Sequence, residues 1–214
     1  VPVYIGRYPL SSVELFKGPI DEVRTYNYER TAGQVVEDMN AGHPPPGSPI
    51  GSPLGYWKFD QGADNTCAGG SNDACNSGSA GSAIDGAQSG MAVPATATSG
   101  WSQAGKYGKA LLFDGTNDYI SLSDNSALKP TSAITVSAWV NPTNFTCTGA
   151  DTNCAIFTKY GGNFQGYRLY TNSSGVVNFN ICTPSTCPGT TASSALATGS
   201  WSHVVGVWDG TNVK

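Results

Sequence analysis

Ala-Ile-Thr-Val-Ser-Ala-Trp-Val-Asn, residues 133–141, alternates with a period of two. Ile134, Val136, Ala138 and Val140 fall on one side; Thr135, Ser137 and Trp139 fall on the other. A pleated strand sends successive side chains to opposite faces, so the pattern predicts a half-buried β-strand. Working outward, residues 167–181 predict a hairpin. Burying Tyr167 and Leu169 with Val177, Phe179 and Ile181 predicts Leu169 opposite Val177. Arg168 and Tyr170 then share the other face with Asn178 and Asn180. Runs rich in β-branched and aromatic residues predict further strands at 3–8, 18–26, 54–59, 109–113, 118–122, 155–160 and 202–209. Short strands at this spacing, with turn signals between them, predict an all-β sandwich of two antiparallel sheets.

One helix is expected near residues 31–41. Thr31 and Gln34 form a capping box, Val35, Val36 and Met39 give the apolar side, and Gly42 stops it. Residues 43–53 then carry Pro44, Pro45, Pro46, Pro49 and Pro53. Proline cannot donate into a sheet ladder, and a proline-rich stretch is extended and semi-stiff. This linker divides the chain into residues 1–42 and 54–214. The Gly/Ser/Ala/Asn-rich stretch 61–100 shows little periodicity and reads as a long, mostly irregular surface loop.

Composition narrows the function classes. Charged residues make up 12% of the chain, about half the usual share, so Ser, Thr, Asn and Gly carry the solvation. A formal charge of −4 offers no basic footprint for nucleic acid. No apolar run is long enough to insert across a membrane. The six cysteines fall into short-range pairs in turn-rich segments: Cys67–Cys75, Cys147–Cys154 and Cys182–Cys187. An even count in loop context favours disulfides over zinc, which prefers closer cysteine spacing and often histidine. Disulfides imply an oxidising compartment and therefore an extracellular, secreted or cell-surface location. Asn144-Phe145-Thr146 and Asn172-Ser173-Ser174 fit glycosylation sequons.

Several segments together resemble the laminin G-like jelly rolls of the concanavalin A-like lectin/glucanase superfamily, in their bacterial tandem form. They are Tyr56-Trp57-Lys58-Phe59-Asp60, Gly108-Lys109-Ala110-Leu111-Leu112-Phe113-Asp114-Gly115, Asp118-Tyr119-Ile120, Thr135-Val136-Ser137-Ala138-Trp139-Val140 and Trp201-Ser202-His203-Val204-Val205. Ile20-Asp21-Glu22-Val23-Arg24 resembles the closing strand of that fold, and 54–60 its opening strand. The ending therefore precedes the beginning. Residues 1–42 read as the C-terminal portion of one repeat and 54–214 as the N-terminal portion of the next. After Trp208-Asp209-Gly210 the family continues with a further strand and turn that has no counterpart between Lys214 and Val1. Two arrangements follow. Residues 1–42 either fold back onto their own chain or finish a neighbour, and the second, head-to-tail reading is the expectation favoured here.

The resemblance implies two antiparallel sheets, frequent calcium binding, and roles in adhesion or carbohydrate binding. It brings Asp60 close to Asp21 as calcium ligands, with Asp85 and Asp118 as further candidates. Trp139, Arg168, Tyr170, Asn178 and Asn180 form a candidate glycan-binding set, aromatic rings stacking on sugars while amides bond their hydroxyls. Trp139 has the competing reading of a buried aromatic. Catalysis is not expected. Glycoside hydrolysis needs paired carboxylates, and glutamate occurs only at Glu14, Glu22, Glu29 and Glu37. The expected function is a non-catalytic extracellular repeat of an adhesin, stalk or filament, with neighbouring copies and glycans as partners. The alternative is a carbohydrate-binding module beside a secreted hydrolase.

Overall fold

The computed structural model describes residues 1–9, 14–40, 53–67, 72–147, 152–161 and 165–214. In chain order its elements are β1 (Val3–Ile5), β2 (Lys17–Tyr26), α1 (Ala32–Met39), β3 (Gly55–Trp57), β4 (Gly86–Ser89), β5 (Gly100–Ser102), β6 (Ala110–Asp114), β7 (Tyr119–Leu122), β8 (Ile134–Val140), β9 (Cys154–Tyr160), β10 (Gly166–Thr171), β11 (Val176–Cys182), β12 (Gly189–Ala195) and β13 (Ser202–Trp208). The strands pair antiparallel into two sheets. Sheet A runs β12-β11-β10-β9-β1-β7-β4; sheet B runs β13-β8-β2-β6-β5, with β3 also on β2. This is the jelly-roll sandwich expected from the alternating strands.

Apolar residues at alternate positions meet between the sheets. Ile5, Ile20, Trp57, Phe113, Val136, Phe157, Leu169 and Phe179 are all buried there. Fully burying one such side chain stabilises the fold by about 1.5–3 kcal/mol. Gly206 of β13 faces the ring of Phe179 so closely that no Cβ fits. The absence of a side chain there sets how near the two sheets approach.

The N-terminal segment is central to this arrangement. β1 lies between β9 and β7, with Ile5 opposite Phe157 and Ile120. β2 lies between β8 and β6, with Ile20 opposite Val140 and Leu111, and Val23 opposite Trp57 of β3. One N-terminal strand thus sits in the interior of each sheet, paired within the same chain. That is the closed arrangement, where the sequence favoured completion of a neighbour. The proline-rich stretch falls almost wholly outside the described residues.

The helix forms as expected. Gln34 N–H donates to Thr31 Oγ1 at 3.4 Å, and Thr31 N–H donates to Gln34 Oε1 at 2.9 Å, closing the capping box. Asp38 then ties the helix down onto sheet B. Arg30 donates to both its carboxylate oxygens, at 2.6 and 3.0 Å, and Tyr26 O–H donates at 2.9 Å. Arg24 donates to the Asp38 carbonyl at 2.8 Å. The segment after β2 also covers Thr135, whose Oγ1 accepts from Arg30 N–H and donates to the Tyr28 carbonyl. Hence β8 is buried on both faces rather than half-buried.

Other expectations need correction. β4 and a 3-10 turn (Gly81–Ile84) lie inside the stretch read as irregular, and β4 edges sheet A against β7. β12 was not expected either; its Gly-Thr-Thr-Ala-Ser-Ser-Ala is an exposed edge strand with no apolar stripe. In the β10–β11 hairpin, Leu169 faces Phe179 and Thr171 faces Val177. The slip from the expected register is two residues, so every side chain keeps its face. All three disulfides join the expected cysteines, with Cα–Cα separations of 5.1, 5.3 and 4.0 Å.

Candidate functional site

The outer face of sheet A carries a strip of tyrosines threaded by two arginines. In the hairpin, Arg168 lies opposite Asn180 and Tyr170 opposite Asn178. On β9, Thr158 stands beside Arg168 and Tyr160 beside Gly166. Tyr4 of β1 is next to Thr158, and Ser121 of β7 follows. Val3 and Ile5 point into the core, so Tyr4 between them must point out. The same parity turns Tyr119 outward from β7, where Ile120 and Leu122 are buried.

These side chains hold one another. The Arg168 guanidinium lies 4.6 Å from the Tyr170 ring centroid, 5.4 Å from Tyr160 and 5.9 Å from Tyr8. Arg7 lies 4.5 Å from Tyr119 and 5.8 Å from Tyr4. Tyr8 and Tyr160 pack at 5.5 Å, Tyr4 and Tyr119 at 5.8 Å. A guanidinium over an aromatic face is attracted by the ring quadrupole, so the strip is preorganised. Asn178 is already used: its amide donates to the Val176 carbonyl, and its Oδ1 accepts from Thr191 Oγ1 at 2.8 Å. Arg168 Nε and Asn180 Oδ1, one donor and one acceptor on adjacent strands, have no hydrogen-bond partner. Four of the five predicted ligand residues therefore share one face.

Trp139 does not join them. It belongs to sheet B, in a row with Asp21 of β2 and His203 of β13. Tyr107 packs edge-on against it at 6.2 Å, the Lys106 ammonium sits 4.3 Å over its ring, and it is 6% exposed. The buried-aromatic reading describes this residue. The row is electrostatically unusual. At Asp21–Arg24 the β2–β8 register shifts in a bulge, with Glu22 at φ 52°. Burial pushes the Asp21 carboxyl up to about 7, with a further push from Glu22. Burial also raises Glu22, whose Oε2 accepts from Arg24 at 2.5 Å and from the Tyr56 hydroxyl. Burial, helped by Arg24, lowers the His203 imidazole to about 4. Asp21 Oδ1, Ser137 Oγ, Trp139 Nε1 and His203 Nε2 are all buried without partners.

The acidic residues expected to hold calcium act as loop clamps. Asp21 Oδ2 accepts from Tyr107 N–H at 3.0 Å, and Asp60 Oδ1 accepts from Lys109 N–H at 2.8 Å. Both carboxylates thus hold the segment 107–109 through its backbone amides. Asp85 holds Asn76 N–H at 2.6 Å and Asp118 holds Asp114 N–H at 2.9 Å. Among the described residues no group of three His, Cys, Asp or Glu side chains is arranged to hold a metal ion.

Residues 114–214 match the family model described as the concanavalin A-like lectin/glucanases superfamily, in its laminin G form. No curated protein and no solved structure matches the chain. The matched span holds β7 to β13, and the N-terminal strands complete both of its sheets. Residues 114–214 are therefore similar to a laminin G-like jelly roll, a fold of carbohydrate- or ligand-binding modules, and the two antiparallel sheets agree with that likeness. Its disulfides suit an oxidising environment, and no described helix is long and apolar enough to cross a membrane.

Sequence reasoning missed Tyr4, Arg7, Tyr8, Tyr119 and Tyr160. Their outward direction was readable for Tyr4 and Tyr119, each alternating with buried aliphatics. Their assembly was not, because it depends on β1 inserting between β9 and β7.

Proposed function

We propose that the protein is a non-catalytic, glycan-binding module of an extracellular protein, its ligand lying along the outer face of sheet A. One observation carries this reading: Arg168 Nε and Asn180 Oδ1 are unpartnered beside the Tyr160–Tyr170 pair. A sugar hydroxyl both donates and accepts, so a single hydroxyl serves both groups. The half-buried Tyr170 ring offers an apolar face to the pyranose C–H bonds, while Tyr160, 4% exposed, supports Arg168 from beneath. Both polar atoms lie just beneath the surface layer, and rotamer changes of the kind common on binding bring them to the ligand. Glutamate occurs only at Glu14, Glu22, Glu29 and Glu37, all outside the span that matches the family model, which favours a binding role over hydrolysis.

Titration calorimetry against neutral oligosaccharides tests this. Arg168→Ala and Tyr170→Ala are expected to weaken binding about tenfold each while leaving the fold intact. Retained affinity in both folded variants would remove the strip as the site.

A second reading, that the chain is one period of a head-to-tail array, is kept as a proposal on the sequence order alone, since β1 and β2 pair within their own chain here. Residues 1–40 are held to the rest by sheet pairing and packing, which a neighbouring copy's segment satisfies equally well. Sedimentation across a concentration series tests it: growth into longer assemblies supports strand sharing, and a monomer throughout opposes it.

A further inference from the structure

A second recess lies between the sheets, away from the tyrosine strip. It is a cavity of about 480 Å³ at the end of the sandwich where β11 and β13 part. Tyr167, Ile181 and Trp208 form much of its wall, with Leu128 and Pro130 from the β7–β8 connection. Lys159 also lines it, and that residue breaks the pattern of its strand. On β9, Phe157 opposes Leu169 and Lys159 opposes Tyr167, so Lys159 occupies a core-facing position. Phe157 and Tyr167 stack there at 6.1 Å, and Tyr167 is buried, its hydroxyl donating to the Leu128 carbonyl at 3.1 Å. A lysine beside that stack, itself 6% exposed, stands where alternation demands an apolar residue. Local rules of this kind are broken mainly where a site requires it.

The charge is not fully compensated. Lys159 Nζ donates to Asp124 Oδ1 at 2.8 Å and to the Val1 carbonyl. An ammonium has three donors, so one has no partner among the described residues. Lys129, which also lines the cavity, bonds the other oxygen of the same Asp124 at 2.9 Å, and the Val1 amino group reaches that oxygen too. Two lysines thus share one carboxylate, leaving positive charge at the rim of an apolar recess in a chain of net charge −4. Ligand sites are typically recesses of about 300–1,000 Å³, mostly apolar, with a few placed polar groups.

We propose that this cavity binds a small organic carboxylate with an aromatic or alicyclic body. Its carboxylate meets the open donor of Lys159, and its ring lies among Tyr167, Ile181 and Trp208. Each feature constrains the ligand separately. The lysines select an anion, and the walls select an apolar body. The volume of about 480 Å³ limits its size. The site is independent of the outer strip, so failure at one leaves the other standing.

The test uses the full chain with three probes, followed by calorimetry and ligand-observed NMR. They are 3-phenylpropionate, its neutral amide, and propionate. The acid is expected to bind saturably, the amide about tenfold more weakly, and propionate weakest of all. Raising the salt concentration should weaken the acid and leave the amide unchanged. Lys159→Met should reduce acid binding about tenfold or more. Lys129→Gln, at a half-exposed position, keeps the fold in any case and should cost the acid a few-fold. Equal binding of acid and amide, no saturable binding of the acid, or acid affinity unchanged in the folded variants would each overturn the proposal.

Discussion

Replacing Ile20 by alanine tests how deeply the N-terminal segment is built into the sandwich. Ile20 is fully buried in β2, beside Val140 on one flank and Leu111 on the other. Truncating a buried isoleucine removes transfer energy and leaves a cavity, together costing about 2–5 kcal/mol. For a domain of this size each kcal/mol lowers the melting temperature by about 2–4 °C. The expected shift is therefore about 4–20 °C, in the single main transition seen by calorimetry. Val36→Ala on the exposed side of α1 is the control, since Val36 is 50% exposed and surface changes usually stay within about 0.5 kcal/mol. If residues 1–40 were an independent appendage, Ile20→Ala would leave the main transition in place and move at most a small separate one. That result would refute the closed sandwich. Repeating the scan at several protein concentrations separates the two ways of supplying β2. A strand taken from the same chain gives a concentration-independent midpoint. A strand taken from another copy raises the midpoint with concentration, by mass action.

Three shorter predictions concern charge, metal and chemistry. Asp21, raised to about 7, adds stability that is full below its ordinary carboxylate range and is lost as pH climbs through neutrality. His203, lowered to about 4, acts with the opposite sign, its contribution being lost as pH falls from about 6.5 toward 4. The two slopes oppose each other between about 4 and 6.5. Asp21→Asn should therefore make stability rise with pH over that window, and His203→Gln should make it fall, as followed by denaturant midpoints; matching slopes in both variants would contradict the assignment. If Asp21 and Asp60 hold calcium, chelator should lower the melting temperature and added calcium restore it by mass action; a melting curve unchanged in both conditions would remove the site and leave these aspartates as clamps on backbone amides. Incubation with polysaccharides should release no reducing sugar, and release abolished by an Asp→Asn change would establish hydrolysis.

What the sequence made legible was local. The period of two in 133–141 and 167–181 identified faces correctly, and it did so even where the hairpin register was off by two, because parity survives an even slip. The capping box located α1, and cysteine proximity located the disulfides. β4 and β12 escaped because edge strands of Gly, Ala, Ser, Thr and Gln have no apolar stripe to mark a buried side. Lateral order escaped for a different reason. Alternation tells which way Tyr4 points but not which strands flank it, and pairing partners are fixed by contacts far apart in sequence. Grouping Trp139 with Arg168 was the cost of that. Both face outward from their strands, yet on opposite sheets, and only the sheet assignment separates a solvent-facing strip from a row roofed by α1 and the 103–108 turn. The two candidate sites divide along the same line. The tyrosine strip exists because β1 inserts between β9 and β7, which no local pattern encodes. Lys159, by contrast, was already out of place in the sequence: in Ile156-Phe157-Thr158-Lys159-Tyr160 it takes the turn of Phe157 on the inner face. A charged residue where the period calls for a core side chain is a local signal, and it points to the cavity without any knowledge of which strands surround it.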